Sequence, residues 1–396
     1  MRIGVAVFVT WVMAMGSASA QTAQPLTVTW QDGFVLESEN GDYRLQLGAL
    51  VQVDGRFSLD DPPQIIDTFT IRKARPIIGA RLAKYFDVRL MPDFGNGTAT
   101  LVDAYFDTRF SSALRVRAGK DKTPVGYESL ISDASVLFPE RSLVSTLVPL
   151  RDVGFQAQGD LAGQKLSYAA GVFNGVPDGT SSTTDVDGNS GKDLAGRVIV
   201  RAPGGFGAHL GGSAGHEKGS LPAFKTSIGQ TWFSYASGST ADGLHTRIAP
   251  AAFFYRKAFG GFGEYVRSTQ TVTRGATTRD VANDGWDATL SYVLTGDAAS
   301  DRGVRPGKPF DPSAHHWGAV QILARRSHLN VDQVAFDSGL ASPDASRRAH
   351  QTSVGVNWYP TSFVKWYAAY EHIEFHAATT SRPPENSFIV RAQLAF

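Results

Sequence analysis

The last nine residues, Phe388-Ile-Val-Arg-Ala-Gln-Leu-Ala-Phe396, alternate with a period of two. Phe388, Val390, Ala392, Leu394 and Phe396 fall on one face of a strand, and Ile389, Arg391, Gln393 and Ala395 on the other. A wholly apolar face at that period is how a lipid-facing barrel strand reads. The stretch Tyr43 to Phe57 repeats it, with Tyr43, Leu45, Leu47, Ala49, Val51 and Val53 predicted outward and Arg44, Gln46, Gly48, Gln52, Asp54 and Arg56 inward. A soluble sandwich also alternates, but it hides its apolar side inside.

The same grammar continues near 67–82, 86–94, 102–109, 114–118, 152–161, 164–174, 192–202, 206–216, 228–237, 246–257, 261–273, 284–296, 315–327, 347–359, 362–376 and 385–396. With 43–57 this makes one strand too many, because a closed antiparallel barrel with both ends in the periplasm needs an even number. Reading Pro203-Gly-Gly and Gly260-Gly261 as tight periplasmic turns leaves no room for a crossing between them, so 228–237 is assigned to an external loop of about 217–245. The expected fold is therefore all-β, a sixteen-stranded antiparallel transmembrane β-barrel over 43–396 with long inward-folded external loops. At that size a lumen becomes an aqueous channel. The loop at about 120–150 carries Pro124, Leu137-Phe138-Pro139 and Val148-Pro149-Leu150, which suits packing against a wall better than free solvent.

The amino terminus has Arg2, an apolar run from Ile3 to Met15 and Ala18-Ser19-Ala20, the order of a secretory signal peptide removed after Ala20. A single anchor helix is the alternative, and the run is short for one. Residues 21–42 then read as a periplasmic lead-in. No later stretch has the roughly 18 unbroken apolar residues of a spanning helix, and mean hydropathy is -0.15. Cysteine is absent, which fits an oxidising destination without disulfide staples. Lys+Arg number 38 and Asp+Glu 37, so loss of Arg2 leaves a balanced chain. That argues against a nucleic-acid partner, whose footprint is a basic excess.

Parity places Arg44, Arg56, Lys73, Arg75, Arg81, Arg89, Arg109, Arg115, Arg117, Arg197, Arg201 and Arg391 on the lumen side. Fixed positive charge in a narrow, low-dielectric bore selects anions. The competing reading pairs each with a wall carboxylate such as Asp87, Asp93, Asp103 or Asp107. Arg72 is awkward: with Ala74, Ile78 and Leu82 outward, Lys73 and Arg75 face the lumen and Arg72 should face lipid, so a bulge must turn it in, or it stands above the hydrocarbon.

Six stretches in order resemble the phosphate-selective porins O and P: Ile71-Arg-Lys-Ala-Arg75; Ala118 to Glu128 with Pro139-Glu-Arg141; Leu221-Pro222; Ser291 to Gly296; Pro309-Phe-Asp-Pro312 followed by Trp317-Gly318; and Asn357-Trp-Tyr-Pro360. The resemblance implies an outer-membrane, passive, anion-selective channel for phosphate, pyrophosphate or polyphosphate. It also implies a homotrimer in outer-membrane lipid. It places Arg72, Lys73 and Lys122 at the constriction, and Arg75 and Lys120, within the same matching stretches, are further candidates there. Where the family commonly has two arginines this chain has Arg72 then Lys73, which exchanges a bidentate fork for a point charge. A general diffusion porin without phosphate preference, or a barrel-type outer-membrane enzyme such as a lipase, are the other readings.

Other patterns are weaker. Asp185-Val-Asp-Gly-Asn189 has its glycine misplaced for a calcium loop, and Gly196 stands where such a loop needs Glu. His315-His316 lacks a third ligand at useful spacing. Gly204-Gly-Phe-Gly207 and Gly260-Gly-Phe-Gly263 open no helix, and no Gly-x-Ser-x-Gly elbow appears. No cofactor, metal or catalytic residue is expected.

Overall fold

The computed structural model describes residues 25–31, 33–182, 189–377 and 382–396. The expected signal peptide, residues 1–20, and most of the calcium-loop-like segment, residues 185–188, lie outside them. A hairpin of β1 (Leu26–Trp30) and β2 (Phe34–Ser38) precedes β3 (Arg44–Ser58), β4 (Thr68–Leu82), β5 (Phe86–Asp93), β6 (Thr100–Arg109), β7 (Arg115–Lys122), β8 (Arg151–Leu161), β9 (Leu166–Phe173), β10 (Asp193–Arg201) and β11 (Phe206–Gly219). Two short strands, β12 (Phe224–Lys225) and β13 (Thr231–Phe233), pair only with each other. The wall resumes with β14 (Thr240–Arg256), β15 (Phe259–Arg274), β16 (Thr277–Val293), β17 (Ala319–Asn330), β18 (Ser346–Tyr359), β19 (Val364–Ala377) and β20 (Glu385–Ala395).

Each wall strand pairs antiparallel with the next, and β20 pairs with β3, closing a sixteen-stranded barrel. Segment 228–237 lies in the external loop 220–239, as parity required. Among the described residues no helix is long and apolar enough to cross a membrane, so the strands do the spanning.

Closure is staggered. Strand β20 ends at Ala395 opposite Leu50, which would leave the base of β3 with unpaired backbone groups. Strand β2 covers that edge, from Phe34 opposite Leu47 to Glu37 opposite Arg44. The described part of the expected lead-in is thus part of the sheet, because an open edge cannot be left at a membrane boundary. Phe396 exchanges backbone bonds with Ala49 at 2.8 and 3.0 Å. Gly48 is required beside it, since a Cβ there would stand 2.4 Å from the Phe396 carbonyl oxygen.

The two faces divide as the alternation predicts. Tyr43, Leu45, Leu47, Val51 and Val53 are exposed on the outside, while Gln52 and Asp54 are buried inside. On β20, Ile389, Arg391 and Gln393 are buried and Leu394 is exposed. Tyr43, Phe94, Phe110 and Trp366 are exposed near strand ends, the place of an aromatic girdle, and Tyr370 is exposed midway along β19.

Three boundaries differ from expectation. The β14–β15 turn is Lys257-Ala258, and Gly260-Gly261 belong to β15. The external β15–β16 turn is only Gly275-Ala276, because Thr277–Ala282 extends the strand beyond the bilayer, where a polar outward face conceals the alternation. The periplasmic connection after β16 runs from 294 to 318, and Ala299 and Val304 pin it under the barrel in an apolar cluster with Ala258, Val293, Ala319 and Tyr359.

Val51→Arg, an outward charge in the apolar band, is expected to destabilise the barrel by about 2–4 kcal/mol. Gln46→Arg, facing the lumen, is expected to cost less than about 1 kcal/mol. Urea unfolding in lipid vesicles compares them.

Candidate functional site at the neck

The loop between β7 and β8, residues 123–150 (L3), crosses the bore. Its apolar residues Val125, Val136, Leu137, Phe138, Val144, Leu147 and Val148 are all at most 5 % exposed. A chain segment buried this way must satisfy its backbone groups without a sheet, and side chains of several wall strands do so. Gln52 donates to the Asp133 carbonyl at 3.2 Å, Gln393 to Ala134 at 2.9 Å, Lys365 to Val136 at 2.7 Å, Asn357 to Leu137 at 2.9 Å and Arg325 to Glu140 at 3.0 Å. Arg391 donates to the Pro139 carbonyl. At the other end Glu264 accepts the amides of Tyr127 and Glu128 at 2.6 and 3.1 Å.

The three L3 carboxylates complete the docking. Glu128 meets Arg325 at 2.6 Å. Asp133 receives Lys73 at 2.9 Å and Arg141 at 2.7 Å, and Arg75 also bonds to it. Glu140 receives Arg72 at 2.9 Å, Arg391 at 3.1 Å and Arg56. Burial pushes the Asp133 carboxyl up, but Lys73, Arg141, Lys122 and Arg151 overcome it and hold it well below the usual carboxylate range. Burial likewise opposes ionisation of Glu140, and Arg72, Arg391 and Arg56 hold it well below that range.

Arg72 faces the bore because of a bulge: Gln52 is opposite Lys73 but Val53 is opposite Ile71, so Arg72 is the additional residue. Its side chain remains 30 % exposed and lines the outer vestibule, a cavity of about 830 Å³. Lys122 lines the inner vestibule, about 750 Å³, and donates to the Ser129 and Ile131 carbonyls at 2.8 and 2.6 Å. Arg75 lines that inner cavity too and also meets Asp93 at 2.6 Å.

Two expected constriction residues sit elsewhere. Lys73 is 7 % exposed, turned against Asp133, and anchors L3 without lining either vestibule. Lys120 bonds to the Ser182 carbonyl of loop 174–192, because its parity on β7 is that of outward Val116 and Ala118. Sequence reasoning missed Arg141 and Arg151. Arg141 lines the outer vestibule and Arg151 the inner, where Arg151 meets Asp103 at 2.7 Å. Arg141 stood in the Pro139-Glu-Arg141 stretch, and Arg151 begins a strand, so composition alone marked neither as bore-lining.

The lumen rows are mixed. Arg44 lies at the periplasmic rim, 3.7 Å from Glu37. Arg56 and Arg391 share Asp54, Arg89 meets Asp103 at 3.3 Å, and Arg117 meets Asp107 at 2.7 Å and also bonds Asp121. Arg115, Arg197 and Arg201 line a smaller cavity under L3. At the neck itself Arg56, Arg72 and Arg391 face two carboxylates, Asp54 and Glu140. Lys73, Arg75, Arg89, Arg141 and Arg151 face three, Asp93, Asp103 and Asp133. Both clusters keep a positive surplus.

A serine, a histidine and a carboxylate do meet in the outer wall: His245 Nε2 lies 2.7 Å from Ser268 Oγ, and its Nδ1 bonds Glu217. The Ser268 hydroxyl donates to Asp178 at 2.5 Å, and His245 and Ser268 are at most 1 % exposed. With Arg247 on Asp178 at 2.6 Å, this closed network fastens loop 174–192 to the wall and offers no face to a substrate.

A closed barrel with an apolar outer face, two polar vestibules and a cationic neck defines an outer-membrane channel. The chain belongs to the phosphate-selective porin O and P family, whose model matches residues 46–396. It is similar to Porin O of Pseudomonas aeruginosa, 23 % identical over 94 % of this chain and 92 % of that one. Among solved structures it resembles the outer membrane channel DcaP of Acinetobacter baumannii (TM-score 0.61, 12 % identity, 92 % of this chain and 99 % of that one). It also resembles an anion-selective porin from Comamonas acidovorans (TM-score 0.58, 10 % identity, 89 % and 100 %). A third likeness is the trimer form of OmpT from Vibrio cholerae (TM-score 0.56, 12 % identity, 89 % and 99 %).

The depressed L3 carboxyls fix the sign of a pH effect. Their folded values lie below the unfolded ones, about 3.9 for Asp and 4.3 for Glu. The docking contribution is therefore complete above that range and is lost as pH falls through the folded values. L3 is expected to resist external protease equally at pH 8 and pH 5. Asp133→Asn, which strands buried Lys73, is expected to weaken docking by about 3–5 kcal/mol and to expose residues 123–150 to cleavage at neutral pH.

Proposed function

We propose that this channel passes phosphate and related small oxyanions passively, with Arg72 and Arg141 on the outer side of the neck and Lys122 and Arg151 on the inner side. The observation that carries the reading is the positive surplus at L3, where low-dielectric walls reduce screening. Arg72 is held by Glu140 yet partly exposed, so a passing anion meets a guanidinium already shared with a carboxylate. That keeps binding weak enough for exit. Lys73 acts as an anchor, so its departure from a second arginine bears on loop docking more than on oxyanion recognition. No enzymatic role is proposed.

A general diffusion porin is the second reading, favoured by the neutralised rows Arg81–Asp87 at 2.9 Å and Arg117–Asp107. Those pairs lie along the wall and outside the neck, so the anion-selective reading is preferred. We further propose a homotrimer joined through the short-strand wall. Strands β5, β7 and β9 have 8 residues each, against the roughly 9–11 a lone crossing needs, while β14 and β16 have 17.

In planar bilayers, added phosphate is expected to reduce chloride current saturably. Lys122→Glu and Arg141→Ala are each expected to raise the half-blocking phosphate concentration at least tenfold. No effect of phosphate on wild-type current, or equal permeation of phosphate and a neutral sugar of similar size, would contradict the proposal.

A further inference from the structure

Under L3, on its periplasmic side and against the wall, lies a separate hollow of about 350 Å³. Its shape follows from the rows of side chains. Arg115 on β7 stands opposite Gln158 on β8, Gln158 opposite Ala169 on β9, and Ala169 opposite Arg197 on β10. The next row toward the periplasm runs Asp160, Ser167, Ile199. Two long cations therefore flank β8 and β9, and on these two rows β9 presents only Ala169 and Ser167 inward, so the wall is set back there. L3 roofs the space with Ser132 and Ser135, and the 294–318 connection closes it with Asp301 and Arg302.

The lining is unlike the neck. Arg115, Arg197, Arg201 and Arg302 face two carboxylates, Asp160 and Asp301, yet among the described residues none of the four guanidiniums is in an ion pair. Arg201 donates only to Ser167 Oγ at 3.1 Å, and Ser167 in turn donates to Asp160 at 2.7 Å. Arg201 and Arg302 are exposed, but Arg115 and Arg197 are half-buried, and a half-buried guanidinium without a carboxylate favours taking an anion from solution. Inorganic phosphate would fill little of a hollow that falls in the size range of small-molecule sites, roughly 300–1,000 Å³. Beside the charged groups the lining is hydroxyl (Ser132, Ser135, Ser167), the Gln158 amide, apolar (Leu130, Ile131, Ile199) and aromatic (Tyr127, Tyr168). Tyr127 offers a purine poor stacking, since its ring is already stacked on Phe253 with centroids 5.0 Å apart.

We infer that this hollow binds a small phosphorylated polyol of the sugar-phosphate class, its phosphoryl group between Arg115 and Arg197 and its hydroxyls on the L3 serines. The inference deepens the anion-channel reading and rests on it. Such a site beyond the neck would hold a phosphorylated solute on the exit side and release it to the periplasm, separate from the axial route of inorganic phosphate.

Calorimetric titration of the detergent-solubilised full-length protein with glucose 6-phosphate, glucose, inorganic phosphate and pyrophosphate tests it. Glucose 6-phosphate is expected to bind at least tenfold more tightly than the other three. The double change Arg115→Ala with Arg197→Ala should weaken it at least tenfold. So should Ser167→Phe, which fills the hollow without altering charge and serves if the double variant does not fold. Phosphate block of chloride current should move less than twofold in either variant. Equal affinity for glucose 6-phosphate and phosphate, tighter binding of pyrophosphate, or wild-type affinity in a folded variant would overturn the inference. Loss of phosphate block in the wild-type channel would instead overturn the anion-channel reading, and the two failures are read from different measurements.

Discussion

The structure depends on one constraint: a loop that carries three carboxylates into the middle of a barrel must find a cation for each. Asp133 and Glu140 are buried where desolvation alone would neutralise them, and both stay ionised because two or more basic side chains converge on each. Everything else about the bore follows from that convergence. Wall cations from β3, β4, β17 and β20 are drawn to the loop, the wall amides Gln52, Asn357 and Gln393 bond its carbonyls, and the two vestibules are separated at that level.

On the proposed reading the same side chains serve docking and selectivity. A bare cationic ring would hold an oxyanion too firmly for conduction, whereas a ring shared with L3 carboxylates offers a field with shallow wells. Arg72 illustrates this. The bulge in β4 brings its guanidinium inward, Glu140 fixes it, and about a third of the side chain still meets the vestibule. The balanced composition of the chain is consistent with a selective pore, because selectivity depends on where the surplus lies and not on the total.

The wall was legible because lipid imposes a period of two on every strand that touches it, and Tyr43 to Phe57 and Phe388 to Phe396 carry that period without a break. Legibility ended where lipid ends. Thr277–Ala282 forms regular strand but faces water on its outer side, so it read as loop. The 294–318 connection is buried by a few apolar residues whose partners, Ala258 and Tyr359, are distant in sequence. Of the neck cations, Arg56, Lys73, Arg75, Arg89 and Arg391 were visible by parity, and the carboxylate partners on L3 were not. Lys73 meets Asp133 and Arg325 meets Glu128 across long stretches of chain, and nothing local to β4 or β17 announces those pairings. Lys120 was misplaced for the opposite reason, since a motif placed it where parity did not.

The account rests on the sign of the field at L3. The zero-current potential of the wild-type channel across a tenfold KCl gradient at neutral pH measures that sign most directly. A potential on the chloride side is predicted; a potential on the potassium side would contradict the account.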